Sequence, residues 1–310
     1  MKLPGYWILG LLGAATAPAA EPARGNPPAQ NQISADDLYH AGKDLFDAYA
    51  PPEVKAEYEF PDKAQWDGIA VRLQAALDGN DPAALARLEP EARTMLFALE
   101  TVPGSEEYID WLKERMDYIE AAKQFGLRPP KPSGRMPGQV IPEYDLWLKR
   151  LQGRPRPAAA EQYVAALAPV FVTAGLPGAL VWLAEVESSF NPAARSPVGA
   201  RGLFQLMPGT AEELGLSTFM PDDRANPVKS AGAAAKMLGD LYKRFGDWPL
   251  ALAAYNAGAG RVHRALAREN AKTFAEIAPL LPMETRMYVP KVLALVQVRA
   301  GVALAGVIRP

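Results

Sequence analysis

The spacing of apolar residues along the chain constrains the fold more than any other feature. In two long segments, residues 34–125 and from residue 158 onward, apolar side chains recur three and four positions apart, as one face of an α-helix requires. The first segment contains no run of strict apolar–polar alternation, the pattern of a strand. One helical series is Trp66, Ile69, Ala70, Leu73 and Leu77. The pattern predicts an all-α protein.

Proline, glycine and asparagine mark where the predicted helices begin and end. Asn226 and Pro227 combine an N-cap residue with a proline at the first helical position, and Gly246 ends that helix. Pro177 suits the first turn of a helix that we expect to continue to about Ser188. Further helices are predicted at residues 142–151, 161–173, 248–256 and 282–300.

Proline-rich stretches divide the chain, and the organisation follows from them. We predict a signal peptide at residues 1–20, a disordered linker at 21–33, a smaller helical N-terminal module at 34–125, a proline-rich linker at 126–157 and a second helical domain at 158–310.

The first twenty residues have the layout of an export signal. Lys2 supplies a positive charge, residues 6–15 are apolar and uncharged, and small residues around Ala19 suit signal peptidase. A retained membrane anchor is the alternative, but a span needs about 20 apolar residues. The chain has no Cys, so a lipoprotein anchor is excluded. We expect an exported protein, soluble in the periplasm or cell envelope, with no stable membrane anchor after signal cleavage.

Composition excludes several classes of function. A net charge of −2 and a pI near 5.9 argue against nucleic acid as a partner. The absence of Cys and the presence of only 2 His leave little for a metal site. We therefore expect neither a cofactor nor a metal.

Residues 178–187 carry the first chemical signal. This predicted helix is apolar nearly all round until Glu185 and Glu187, so it is expected to be buried. Burial and the negative end of the helix dipole both disfavour a charged carboxylate, which raises its pKa. A carboxyl group at this end would therefore keep its proton and serve as a general acid.

The helical pattern alone does not choose between the two glutamates. Residues two apart on a helix point about 200° away from each other, so only one of them faces a given cleft. Either side chain could instead pair with a nearby arginine, such as Arg195 or Arg201.

Four sequence motifs distinguish Glu187 from Glu185 as the candidate acid. They read E-S-S-F-N-P at residues 187–192, S-P-V-G-A-R-G-L-F-Q-L-M-P at 196–208, A-Y-N-A-G at 254–258 and E-T-R-M-Y-V at 284–289. In this order the motifs resemble the soluble lytic transglycosylase catalytic domain, over residues 160–300. One departure is Phe204, where many members of that family carry Met.

The resemblance implies a lysozyme-like helical catalytic domain at residues 158–310, with a cleft for a glycan strand. It assigns to Glu187 the role of an acid that protonates the glycosidic oxygen and then acts as a base. Residues implied to bind or position the substrate are Ser188, Asn191, Ser196, Gln205, Met207, Tyr255, Asn256, Glu284 and Tyr288. Buried amides and core packing are the alternative roles for Gln205, Asn256 and Met207.

The implied function is cleavage of the MurNAc–GlcNAc bond of peptidoglycan without water, which yields 1,6-anhydromuramoyl ends. A single acid fits the motifs, since no Asp or Glu follows Glu187 before Glu212. The alternatives are a lysozyme-type hydrolase on the same fold and a non-catalytic peptidoglycan-binding protein. The expected partners are peptidoglycan glycan strands, and the sequence identifies no protein partner.

Overall fold

A computed structural model describes residues 39–40, 43–44, 46–48, 52–57, 59–60, 62–101, 106–125, 141–196 and 199–304. The predicted signal peptide at 1–20, the linker at 21–33 and residues 126–140 of the proline-rich linker lie outside these ranges. The division of the chain into domains therefore stays a prediction.

The described residues are mostly helical, and the predicted all-α fold is confirmed. The α-helices are α1 (Pro52–Glu57), α2 (Lys63–Asp78), α3 (Pro82–Ala86), α4 (Glu89–Thr101), α5 (Glu106–Ala122), α6 (Tyr144–Leu151), α7 (Ala160–Thr173), α8 (Leu183–Ser188), α9 (Pro208–Glu213), α10 (Pro227–Phe245), α11 (Trp248–Ala257), α12 (Ala259–Glu269), α13 (Phe274–Ile277) and α14 (Met283–Ala300). Short 3₁₀ helices span Gly178–Trp182, Asp223–Ala225 and Ala278–Leu280. Within the described ranges, extended pairing is limited to two isolated bridges between residues 195 and 206.

The helix α10 begins and ends at the residues that the sequence predicts. The Asn226 side chain accepts hydrogen bonds from the backbone N–H groups of Val228 and Lys229, and Pro227 occupies the first turn. Gly246 ends the helix at φ 66°, in the left-handed region that glycine adopts most easily. The α10 boundaries therefore match those read from the sequence.

The segment from residue 178 to 188 differs from the single predicted α-helix. It begins as the 3₁₀ helix Gly178–Trp182 and continues as α8, in keeping with the tendency of 3₁₀ turns to open α-helices. Ser189 and Phe190 follow with φ angles of 51° and 61°. These left-handed residues end the helix before the Asn-Pro pair that we expected to stop it.

The helix α14 is the most extensively packed of the helices that carry site residues. It is buried on nearly every side, and it packs against α2, α6, α8 and α11. Even two cations on it are enclosed, with Lys291 2% and Arg299 9% exposed. Because it passes beside α8, it brings distant parts of the sequence to the end of that helix. No helix in the described part of the chain combines the length and apolar character needed to cross a membrane.

Candidate active site

Glu187 lies in the last turn of α8, beside α14. The Tyr288 hydroxyl donates a hydrogen bond of 2.5 Å to Oε1 of Glu187. Tyr288 is 2% exposed, and the Glu187 side chain is partly buried. The carboxyl group is therefore held against the protein instead of extending into bulk solvent.

Burial raises the pKa of Glu187 from its ordinary 4.5 to about 8. The hydrogen bond from Tyr288 acts in the opposite direction, because it stabilises the charged carboxylate. Of the nearby charges, Glu114 and Glu284 raise this pKa and Arg115 lowers it. A carboxyl group with a pKa of about 8 keeps its proton at neutral pH, as a general acid must.

Glu114 and Glu284, the two carboxylates that raise the pKa of Glu187, are both ion-paired. Glu284 accepts a hydrogen bond of 2.9 Å from Nη2 of Arg115. Glu114 accepts one of 2.5 Å from Nζ of Lys291. Glu284 and Glu114 each have a cation beside them, whereas the carboxyl group of Glu187 is hydrogen-bonded to a neutral hydroxyl group, that of Tyr288. Of these three acids, Glu187 is the one placed to carry a proton.

Glu114 and Arg115 belong to α5, far upstream of the motifs, and the sequence analysis did not identify them as site residues. The available signal was Arg115 itself, which falls at helical spacing within the apolar series of Trp111, Leu112 and Tyr118. A cation on an apolar helix face requires a partner. The partner, Glu284, lies 169 residues away in sequence, so local pattern could not reveal it.

Glu185, the second candidate acid, has a structural partner. Arg299 donates to both of its carboxylate oxygens, at 2.6 and 2.9 Å. The side chain of Glu185 is 9% exposed and that of Arg299 is 5% exposed. Arg299 also donates to the backbone oxygens of Arg154 and Pro155. Glu185 is thus held in a buried ion pair with Arg299. The sequence suggested Arg195 or Arg201 as its partner, and neither of them is the residue that pairs with it.

Ser188 of the first motif and Gln205 of the second hold a turn against α8. The Ser188 hydroxyl, which is buried, donates to the backbone oxygen of Leu203 at 3.0 Å. Gln205 holds the same turn closed, since its Nε2 donates to the backbone oxygens of Gly202 at 2.9 Å and Ala194 at 3.3 Å. Gln205 does so at φ 44°, a strained backbone for a non-glycine residue. Both side chains therefore fix the turn beside the acid.

Asn191 and Ser196 also make local contacts. The Asn191 side chain accepts from the Ala193 N–H and the Ser196 hydroxyl from the Ala200 N–H, each at 2.9 Å. Met207 ends the turn with 42% of its surface exposed. Of these three residues, Met207 offers the most free surface to a ligand.

Tyr255 and Asn256 lie at the end of α11. The Tyr255 hydroxyl donates a 2.7 Å hydrogen bond to the backbone oxygen of Phe204, and not to Glu187. Burial, followed by the charge of Glu187, raises the pKa of Tyr255 well above 10. The Asn256 side-chain oxygen accepts from Thr285 at 2.7 Å. Tyr255 therefore connects α11 to the turn within reach of the acid, and Asn256 connects it to α14.

The structure thus gathers Glu187, Tyr255, Glu284 and Tyr288 at the end of α8. The other predicted residues, Ser188, Asn191, Ser196, Gln205, Met207 and Asn256, shape the adjoining turns.

Comparisons with known proteins find similarity to lytic transglycosylases. The family described as "Transglycosylase SLT domain" matches residues 174–278. The membrane-bound lytic murein transglycosylase D of Escherichia coli is 42% identical over 142 residues, which cover 44% of this chain and 31% of that protein. The soluble lytic murein transglycosylase of Salmonella typhimurium is 41% identical over 122 residues, 36% of this chain and 19% of that protein.

The chain thus spans a third or less of the length of these two relatives. Among solved structures, the 70 kDa soluble lytic transglycosylase of Escherichia coli aligns with 87% of this chain and 46% of its own, at 21% identity and a TM-score of 0.40. The family match includes Glu187 and the turns packed around it. The segment of this chain that carries Glu187 is therefore similar to the transglycosylase SLT domain.

Proposed function

We propose that this protein is a lytic transglycosylase that cleaves the MurNAc–GlcNAc bond of peptidoglycan without water. The observation that carries the proposal is the enclosed carboxyl group of Glu187, which accepts a 2.5 Å hydrogen bond from Tyr288 within the segment that matches the transglycosylase SLT domain. Burial raises the pKa of this carboxyl group to about 8, so that it can act as a general acid at neutral pH. Lytic murein transglycosylases are also among the relatives that are similar to this segment.

The first step breaks the glycosidic bond. Glu187 donates its proton to the bridging oxygen, and the bond between that oxygen and C1 of the muramoyl residue breaks, so that the GlcNAc side leaves with a new hydroxyl group. The N-acetyl group of the substrate stabilises the positive charge at C1. Glu187 is left as a carboxylate, which the hydroxyl of Tyr288 stabilises through its hydrogen bond.

The second step closes the product ring. The Glu187 carboxylate takes the proton from the C6 hydroxyl of the muramoyl residue, and the oxygen attacks C1. A 1,6-anhydromuramoyl end forms, and Glu187 regains its proton. One carboxyl group thus serves as acid and then as base, and no water is consumed.

The surrounding charges support a single-carboxyl reaction. Most glycoside hydrolases use two carboxyl groups, the second acting as base or nucleophile. The two other carboxylates that influence Glu187 are ion-paired, Glu284 with Arg115 and Glu114 with Lys291. Neither is a free second carboxylate, which fits a reaction carried out by Glu187 together with the N-acetyl group of the substrate.

The test is to identify the ends of the fragments released from purified sacculi. Transglycosylation gives fragments one water lighter than hydrolysis does, and borohydride does not reduce their anhydro ends. Borohydride-reducible muramoyl ends would instead identify a lysozyme-type hydrolase. Binding to sacculi without release of fragments would identify a non-catalytic binding protein.

We further propose that the chain acts in the periplasm or cell envelope, where peptidoglycan lies, after removal of the signal peptide at residues 1–20. The mass of the protein recovered from the periplasm tests this, because cleavage after Ala19 or Ala20 removes the apolar segment. Recovery of the uncleaved chain in the membrane fraction would contradict it.

A further inference from the structure

The helix α5, which lies outside the matched segment 174–278, reaches the active site through an ion pair. Nη2 of Arg115 lies 2.9 Å from Oε1 of Glu284 on α14, with the two side chains 14% and 20% exposed. Glu284 lies one turn before Tyr288, the residue bonded to the acid. The ion pair is therefore mostly enclosed and close to the reacting carboxyl group.

We propose that Arg115 is a positioning residue of the active site, which holds Glu284 in an ion pair and so prevents an uncompensated carboxylate from acting on Glu187. The proposal rests on the proposed function for its catalytic meaning. It also assigns part of the active site to the N-terminal helices, which would otherwise be read as a separate module.

The surroundings of Arg115 are unfavourable for a charged side chain whose sole role is to join two helices. Its guanidinium lies over the ring of Trp111, 5.0 Å from the ring centre. Its Nε is buried and has no hydrogen-bond partner among the described residues. Leaving such a buried donor unpaired destabilises the fold. A role in the electrostatics of the site gives a reason for a cation at this position.

A second group of charges fixes α5 in place. Nζ of Lys291 on α14 bonds to Glu114 at 2.5 Å and Asp117 at 2.8 Å, and Arg154 donates to both oxygens of Asp117. Burial opposes ionisation of Asp117, but Lys291 and Arg154 outweigh it and hold its pKa far below the usual range. This network links α5 to α14 and to the segment that follows α6.

The groups that influence Glu187 come from each element packed around it. They are Glu114 and Arg115 on α5, Tyr255 on α11, and Glu284 and Tyr288 on α14. Removing Arg115 deletes a cation and frees the charge of Glu284, so both changes oppose ionisation of Glu187. Removing the charge of Glu284 has the reverse effect, because Arg115 is left unpaired.

The experiment is a titration of Glu187 by ¹³C NMR of protein labelled at glutamate carboxyl carbons, with its signal assigned from Glu187→Gln. We expect Arg115→Met to raise the pKa of Glu187 by about one unit and Glu284→Gln to lower it by a similar amount. Arg115→Lys should restore most of the wild-type value. The double variant Arg115→Met/Glu284→Gln should titrate within about half a unit of wild type, because both charges are gone.

Arg150→Met is the matched control, because Arg150 on α6 also pairs with acids of α5, Glu120 at 2.8 Å and Asp117 at 3.7 Å. Arg150 is not among the charges with the largest effect on the pKa of Glu187. If Arg115→Met does not fold, Glu284→Gln and the double variant still give the comparison. The proposal is overturned if the shifts have the same sign, if the double variant keeps the shift, or if Arg150→Met shifts Glu187 equally.

This readout is independent of turnover. If the titration behaves as expected but the wild-type protein releases nothing from sacculi, the proposed function fails while the charge relationship holds. If sacculi are cleaved and the two single variants do not shift Glu187 in opposite directions, the role of Arg115 fails alone.

Discussion

The hydroxyl of Tyr288 lies 2.5 Å from Oε1 of Glu187, although the two residues are 101 positions apart in sequence. Burial raises the pKa of Glu187, and this hydrogen bond limits the rise. The acid must release its proton to the leaving oxygen and then exist briefly as a carboxylate. Tyr288 is placed to stabilise that charged state.

Tyr288→Phe should therefore raise the pKa of Glu187 further above about 8. The alkaline side of the pH–activity profile should move upward by about one unit, and kcat should fall about tenfold because the carboxylate loses a charge-assisted hydrogen bond. Sacculus digestion at a series of pH values measures both. Tyr255→Phe is the control, because the Tyr255 hydroxyl donates its hydrogen bond to the backbone oxygen of Phe204 and not to Glu187. The alkaline side of the pH–activity profile should therefore move less in Tyr255→Phe than in Tyr288→Phe. Equal shifts in both variants would contradict this assignment.

Regular structure was predictable because it depends on local pattern. The face formed by Trp66, Ile69, Leu73 and Leu77 is buried as the spacing requires, with each residue at most 1% exposed. At α10, the cap and the glycine stop lie in the sequence itself. The 3₁₀ start at Gly178 was not predictable, since the periodicity of a short apolar segment does not distinguish 3₁₀ from α geometry.

Long-range charge pairing accounts for what the sequence did not reveal. Glu185 and Glu187 are equivalent by local pattern, and the motifs alone favoured Glu187. The partner of Glu185, Arg299, lies 114 residues away. The sequence offers many arginines, and only the packing of α14 beside α8 selects this one.

Glu187 should also make stability depend on pH. Its folded-state pKa of about 8 exceeds the ordinary 4.5, so between these values the folded protein holds a proton that the unfolded chain has lost. Stability from this group is thus fully present below about pH 4.5 and is lost as pH rises through about 8. At about 1.4 kcal/mol per unit, the loss amounts to roughly 3–5 kcal/mol.

Glu187→Gln removes this titration, so the variant should gain stability relative to wild type as pH rises from 5 to about 8.5. Urea unfolding at a series of pH values measures the difference. Glu213→Gln, at an exposed position on α9, controls for the substitution. A Glu187→Gln protein whose stability parallels wild type over this range would contradict the raised pKa.

Arg299→Met should destabilise the fold without removing the catalytic acid. It leaves Glu185 buried without its cation and frees two backbone oxygens, at a cost of about 3–5 kcal/mol. Urea unfolding gives the loss, and activity per folded molecule should stay within about threefold of wild type. A large loss of turnover in a folded protein would show that Glu185 and Arg299 contribute to the chemistry.

Gly202→Ala should prevent the turn beside the acid from forming. A Cβ there would lie 1.9 Å from the backbone oxygen of Arg224, and the residue has φ 80°. Gly199→Ala is the matched control, because φ is 91° there but the nearest atom to a Cβ is 3.9 Å away. We expect Gly199→Ala to cost about 1–2 kcal/mol and Gly202→Ala to cost considerably more, measured as the fall in Tm. Similar Tm values for the two variants would contradict the close approach.

The most direct test of the account is product analysis of wild-type protein and Glu187→Gln on the same purified sacculi, with circular dichroism to establish that the variant is folded. The wild type should release fragments ending in 1,6-anhydromuramoyl residues. Glu187→Gln should lower their release by roughly a thousandfold, since the amide has no acidic proton to donate to the leaving oxygen. Release at a near-normal rate by the folded variant would contradict the assignment of Glu187 as the acid.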